Sequence, residues 1–127
     1  MAVLKEKTVV ASVKMPIGES WSILRCRYRS EDGAQARVCL ATGIHGDERM
    51  GQLVIYDVAQ RIMAQPQHLH GIVDMYPMLN PIGLDVGQRM VPSSTIGAMI
   101  SLILATNSAS PFFMAMPSCS ISASPAL

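Results

Sequence analysis

Arg37-Val38-Cys39-Leu40-Ala41-Thr42-Gly43-Ile44-His45-Gly46-Asp47-Glu48 passes from a continuous apolar run into a glycine-flanked turn bearing a histidine and a carboxylate three residues apart. An apolar run of this kind reads as a strand buried on both faces of a mainly parallel sheet. Beyond the turn, Leu53, Val54, Tyr56, Val58, Ala59, Ile62 and Met63 recur at helical spacing, with Gln52, Asp57, Gln60 and Arg61 mostly on other faces. The pattern predicts a helix from about Met50 to Ala64, stopped by Pro66. Gly71-Ile72-Val73-Asp74-Met75-Tyr76 is the next strand. Strand, loop, helix, strand makes a right-handed crossover unit, and ligand groups in such sheets gather beyond the carboxyl ends of the strands.

Upstream, Thr8 to Lys14 and Trp21 to Arg29 alternate apolar and polar residues, with turn residues at Pro16-Ile17-Gly18 and Glu31-Asp32-Gly33. They predict two antiparallel strands. The expected architecture is therefore α/β, a mixed sheet with an N-terminal β hairpin and one strand-helix-strand crossover.

The whole chain has 127 residues, enough for one ordinary domain. Its formal net charge is +1, with ten basic residues scattered among nine acidic ones, so no nucleic-acid footprint is present and a small neutral or anionic substrate is expected. The three cysteines, Cys26, Cys39 and Cys119, contain no CxxC pair, which argues against a disulfide framework and against a cysteine zinc site. A cytoplasmic location is expected, since Met1 to Lys7 places charges where an export signal needs an apolar run.

Every Lys, Arg, Asp, Glu and His lies at or before Arg89. The uncharged remainder reads as a buried or partner-covered helix, a membrane-associated segment or a poorly structured tail. Its apolar run, Ile96 to Ala105, is far short of the roughly 20 residues that span a bilayer, so a true transmembrane helix is not expected. Ser118 to Leu127 reads as a flexible ending under each alternative.

His45 and Glu48 suit zinc, through an imidazole nitrogen and a carboxylate oxygen. Their spacing also suits a helix-start histidine with a capping acid. Asn80, in Pro77-Met78-Leu79-Asn80-Pro81, can fix a loop or orient a substrate amide, or simply initiate a turn. Arg89 can clamp a carboxylate through a bidentate pair, or stand as a solvated surface group. His68 and His70 precede a strand and are expected at its amino end, on the surface and away from the loop of His45.

The segment Val38 to Glu48, then Gly51-Gln52, Gly71 to Pro81 and Gly87-Gln88-Arg89, resembles the succinylglutamate desuccinylase and aspartoacylase family, which belongs with the zinc carboxypeptidases. The likeness runs from about Pro16 to Pro92 and rests on GIHGDE and LNP at their mutual distance. It implies a truncated zinc-carboxypeptidase-like fold, with His45 and Glu48 as the first two zinc ligands, Arg89 as the contact to the substrate carboxylate, and Asn80 beside the substrate. The implied reaction is zinc-dependent removal of an acyl group from an N-acylated amino acid or similar amide.

The family continues with an aspartate, an asparagine-arginine pair and a third zinc-binding histidine, and much later a catalytic glutamate. After Pro92 this chain reads Ser93-Ser94-Thr95-Ile96-Gly97-Ala98-Met99 and holds no further His, Asp, Glu or Arg. Residues 1–92 are therefore expected to be the N-terminal part of a zinc deacylase domain and 93–127 a tail without family features, as an altered reading frame or gene end would leave. The chain is expected to be inactive by itself. The competing readings are a non-catalytic binding fragment and a membrane-associated fragment using residues 96–105.

Overall fold

Two long amphipathic strands open the chain and pair as a hairpin, β1 (Val3–Lys14) with β2 (Ser20–Ser30). The computed structural model describes residues 2–14, 17–32 and 36–89, and the backbone of 112–115. Both strands begin earlier than the sequence pattern predicts, because the hairpin ladder runs from Val3 opposite Ser30 to Lys14 opposite Ser20. The register breaks between Val9 and Ala11, leaving Val10 without a partner across the ladder.

The apolar run forms β3 (Arg37–Ala41), followed by α1 (Met50–Ala64), a 3-10 turn at Pro66–His68 and β4 (Ile72–Tyr76). β3 and β4 pair in parallel and α1 connects them, as the crossover reading requires. β2 pairs antiparallel with β4, so the hairpin joins the crossover unit in one mixed sheet of order β1-β2-β4-β3-β5. The last strand, β5 (Phe112–Ala115), lies parallel to β3 with Val38 opposite Phe112. The uncharged tail carries no strand signal in the sequence. The strand forms where β3 would otherwise leave a row of backbone N–H and C=O groups unpaired. The run 96–105 and the ending 118–127 lie outside the described residues.

Two clusters of buried side chains lie on the two faces of the sheet. On one face α1 contributes Ile55, with Val58, Ala59 and Ile62 packed around it, against Tyr28, Leu40 and Met75. On the other, Ile23, Cys39, Ala41, Tyr76 and Leu79 pack together. Burial of each large side chain contributes roughly 1.5 to 3 kcal/mol. The face that α1 buries differs from the one its apolar residues suggest. Leu53, Val54, Tyr56 and Met63 are exposed, and the innermost residue is Ile55. The helix carries two apolar stripes, and only 55, 58, 59 and 62, at i, i+3, i+4 and i+7, share the side that meets the sheet.

Asp74 stands in the middle of β4 and is fully buried. Arg27 donates to it from Nε (2.7 Å) and Nη2 (3.0 Å), and Arg37 from Nε (2.7 Å). Arg27 faces Asp74 across β2 and β4, and Cys39 faces it across β3 and β4. Three strands are thus tied through one carboxylate. Burial pushes the Asp74 carboxyl up, but the hydrogen bonds and charges of Arg27 and Arg37 outweigh it and hold the group below the usual carboxylate range.

Candidate metal loop

The carboxyl ends of β3 and β4 are their most buried parts, with Cys39 to Ala41 and Asp74 to Tyr76 all buried. The loops leaving these ends are laced together. Thr42 donates its N–H to the Tyr76 carbonyl (3.0 Å) and its hydroxyl to the Pro77 carbonyl (2.9 Å). Leu79 N–H donates to Thr42 (3.1 Å) and Asn80 N–H to Gly43 (2.7 Å). The loop of His45 is therefore held by backbone as well as by side chains, which is what places functional groups reproducibly at a sheet edge.

Two glycines make this close approach possible. Gly43 has φ +68°, in the left-handed region, and a Cβ there would stand 2.9 Å from Leu84 Cδ1. A Cβ on Gly46 would collide with the Gly83 backbone and the Gln88 carbonyl. The chain of α2 (Pro81–Val86) consequently runs directly against the His45 turn. This short helix takes the place of the simple turn that Asn80-Pro81 suggests. Asn80 is its N-cap, accepting from the Gly83 N–H at 2.9 Å, while its Nδ2 donates to the Ile44 carbonyl at 3.2 Å. With 2% exposure, Asn80 has both ends of its amide engaged by the protein.

His45 and Glu48 are brought together at the end of β3. His45 Nδ1 lies 3.4 Å from Glu48 Oε1, and the side chains are 13% and 29% exposed. Two ligands of a tetrahedral zinc, each about 2.0 to 2.2 Å from the ion, stand ~3.4 Å apart. The pair fits two adjacent corners of such a shell. Among the described residues no group of three His, Cys, Asp or Glu side chains forms a larger set. His68 is exposed beside Gln65, and His70 lies 3.8 Å from Asp32, both before β4 and at the opposite end from the His45 turn.

Arg89 also joins the site. Its backbone carbonyl accepts from the Gly46 N–H at 3.3 Å. Its Nη1 donates to Glu48 Oε1 at 2.9 Å and stands 3.6 Å from Asp47 Oδ2. The Glu48 hydrogen bond, and then the charges of Asp47 and Glu48, raise the Arg89 guanidinium above its ordinary value. Sequence reading missed Asp47 as a partner of Arg89, and missed Arg49, whose Nη2 donates to the Leu84 carbonyl at 2.8 Å and clips α2 to the start of α1. The signal for Asp47 was its place inside the glycine-flanked turn.

A separate cleft of about 420 Å³ is lined by Trp21, Arg49, Gln52, Met78 and Leu84, among others, and by none of His45, Glu48 and Arg89. Cys26 and Cys39 are free thiols. Among the described residues no helix is long and apolar enough to cross a membrane.

The family model described as the succinylglutamate desuccinylase/aspartoacylase catalytic domain matches residues 34–99. No curated protein matches the chain. Among solved structures, succinylglutamate desuccinylase/aspartoacylase from Rhodobacter sphaeroides is similar at 26% identity and TM-score 0.57, over 72% of this chain and 27% of that one. An aspartoacylase family protein from Mesorhizobium loti shares the fold at 19% identity and TM-score 0.61, over 90% of this chain and 40% of its own. A metallo-carboxypeptidase from Pseudomonas aeruginosa does so at 13% identity and TM-score 0.52, over 86% and 34%. The chain thus spans from about a quarter to two fifths of these structures.

Proposed function

The chain belongs to the succinylglutamate desuccinylase/aspartoacylase catalytic-domain family, and on that premise we propose that it contributes the first part of the zinc site of a cytoplasmic amide hydrolase. The substrate class is an N-acylated amino acid or a similar small amide, from which the acyl group is removed. The observation that carries this reading is the 3.4 Å separation of His45 Nδ1 and Glu48 Oε1 at the carboxyl end of a buried strand.

His45 and Glu48 would hold the ion, and zinc, when bound, supplies Lewis acidity at the scissile carbonyl. Arg89, half exposed at the mouth of the loop, receives the substrate carboxylate through its planar fork of donors. Asn80 serves the substrate side by fixing the loop, since its amide is spent on Gly83 and Ile44. The residues 1–92 carry this site, and 93–127 add none of its ligands, because no His, Asp or Glu follows Arg89.

A third ligand and a proton-accepting glutamate are needed for turnover, so the 127-residue chain is inactive by itself. The test is metal content of the purified chain after zinc loading, in the wild type and in His45→Ala. Zinc retained at the same stoichiometry by His45→Ala overturns the assignment. Turnover of N-acyl amino acids by the pure chain, lost in Glu48→Gln, overturns the statement that it is inactive.

A further inference from the structure

Arg89 does two things at once in the metal loop. Its backbone accepts from Gly46, which fixes where its side chain starts, and its guanidinium hydrogen-bonds the same Glu48 oxygen that lies 3.4 Å from His45 Nδ1. That oxygen is where a cation bridging His45 and Glu48 would bind. A guanidinium and a divalent ion drawn to the same oxygen repel each other, and at this exposed position solvent screens part of that repulsion. Asp47, 3.6 Å from the same guanidinium nitrogen, offers Arg89 a second carboxylate that is more exposed than Glu48.

We propose that Arg89 is a built-in counter-cation, which neutralises Glu48 while the loop is free of metal and is released by metal to receive an anion. The proposal rests on the reading of His45 and Glu48 as metal ligands. It makes metal and anion binding mutually reinforcing, because an anion that draws Arg89 away from Glu48 vacates the position the metal needs, and the coupling is reciprocal by linkage. Removing one positive charge from beside a divalent ion at a solvent-exposed site tightens binding by about three- to tenfold.

The experiment is a zinc titration of the full chain against a competing chromophoric chelator, for the wild type, Arg89→Gln, Arg89→Lys and His45→Ala, with and without N-acetylglycine as the anion. The expected result is tighter zinc binding in Arg89→Gln by that factor, little change in Arg89→Lys, and an N-acetylglycine enhancement in the wild type that Arg89→Gln lacks. Zinc binding that depends on His45 but is unchanged or weaker in Arg89→Gln overturns the counter-cation role and leaves the metal site standing. Binding indifferent to His45→Ala overturns the metal site, and the counter-cation role with it. A readout without substitution follows the Arg89 Nη1–H resonance of the wild-type chain by NMR at low temperature. Zinc is expected to shift it toward the position of a free arginine, and a resonance that stays fixed as zinc saturates His45 refutes the release.

Discussion

Asn80 and Gly43 are joined by a 2.7 Å backbone hydrogen bond, from the Asn80 N–H to the Gly43 carbonyl. The two loops that leave the parallel strands are therefore continuous through hydrogen bonds, and the N-cap of α2 is positioned by the same contacts that shape the His45 turn.

Asn80→Ala removes both the cap on Gly83 and the bond to the Ile44 carbonyl. Loss of a cap of this kind costs about 1 kcal/mol. The expected outcome in chemical denaturation is an unfolding free energy lowered by about that amount, read as a lower midpoint at unchanged m-value. A second measurement, amide exchange of Ile44 to Gly46, should show faster exchange in the variant, because the loop has lost its anchor. Unchanged exchange would mean that Asn80 acts on α2 alone.

Asp74→Asn leaves Arg27 and Arg37 without their carboxylate. Breaking a buried pair costs about 3 to 5 kcal/mol, but both arginines reach solvent, with 24% and 36% exposed side chains, so about 2 to 4 kcal/mol is expected. The pH dependence follows from the lowered Asp74 pKa. Its stabilisation is complete above the unfolded carboxylate value of about 3.9 and is lost as pH falls through the lower folded value. Urea melts of the two proteins should differ most near neutral pH and converge in strong acid; a difference independent of pH would refute the ionic account.

Zinc is expected to be held weakly, because two protein ligands leave half of a tetrahedral shell to water. Glu48→Gln should weaken it further by removing the anionic ligand. Isothermal titration of the wild type and Glu48→Gln measures both statements, and equal affinities would place the ion elsewhere.

Truncation after Pro92 deletes β5, and with it the backbone ladder on the outer edge of β3. The sequence alone suggests that the tail is dispensable. The pairing of Val38 to Ala41 with 112–115 predicts the reverse, a lower thermal midpoint in the shortened chain together with greater aggregation through the opened β3 edge. An unchanged midpoint would show that β5 adds nothing to stability.

The crossover unit was legible because each of its parts carries a strong local signal. β3 and β4 are apolar runs, α1 is periodic and Pro66 ends it, and the glycines of the His45 turn mark a close backbone approach. The buried face of α1 was not legible, since two apolar stripes compete and only the sheet decides between them. α2 spans six residues, too few to show a helical period. The pairing of Asp74 with Arg27 joins residues far apart in sequence. An acid inside an apolar strand signals a buried partner but does not say which arginine supplies it. The partnership of Arg89 with Glu48 was hidden for the same reason. Each residue had a plausible separate role, and only the fold of the loop brings them to 2.9 Å.

The interrupted register at Val10 has a consequence for how the molecule meets its neighbours. β1 is twelve residues long and forms one margin of the sheet, the kind of surface on which a foreign strand can grow. Val10 and Ala11, although consecutive, both pack toward the cluster that holds Ile23. The strand therefore changes phase midway, and its outward hydrogen-bonding groups do not form one continuous template. An incoming chain in regular extended form can match the segment before the irregularity or the one after it, but not both. The bulge thus divides a long adhesive margin into two short ones, and makes edge-to-edge recruitment of further copies along β1 less favourable than its length would suggest.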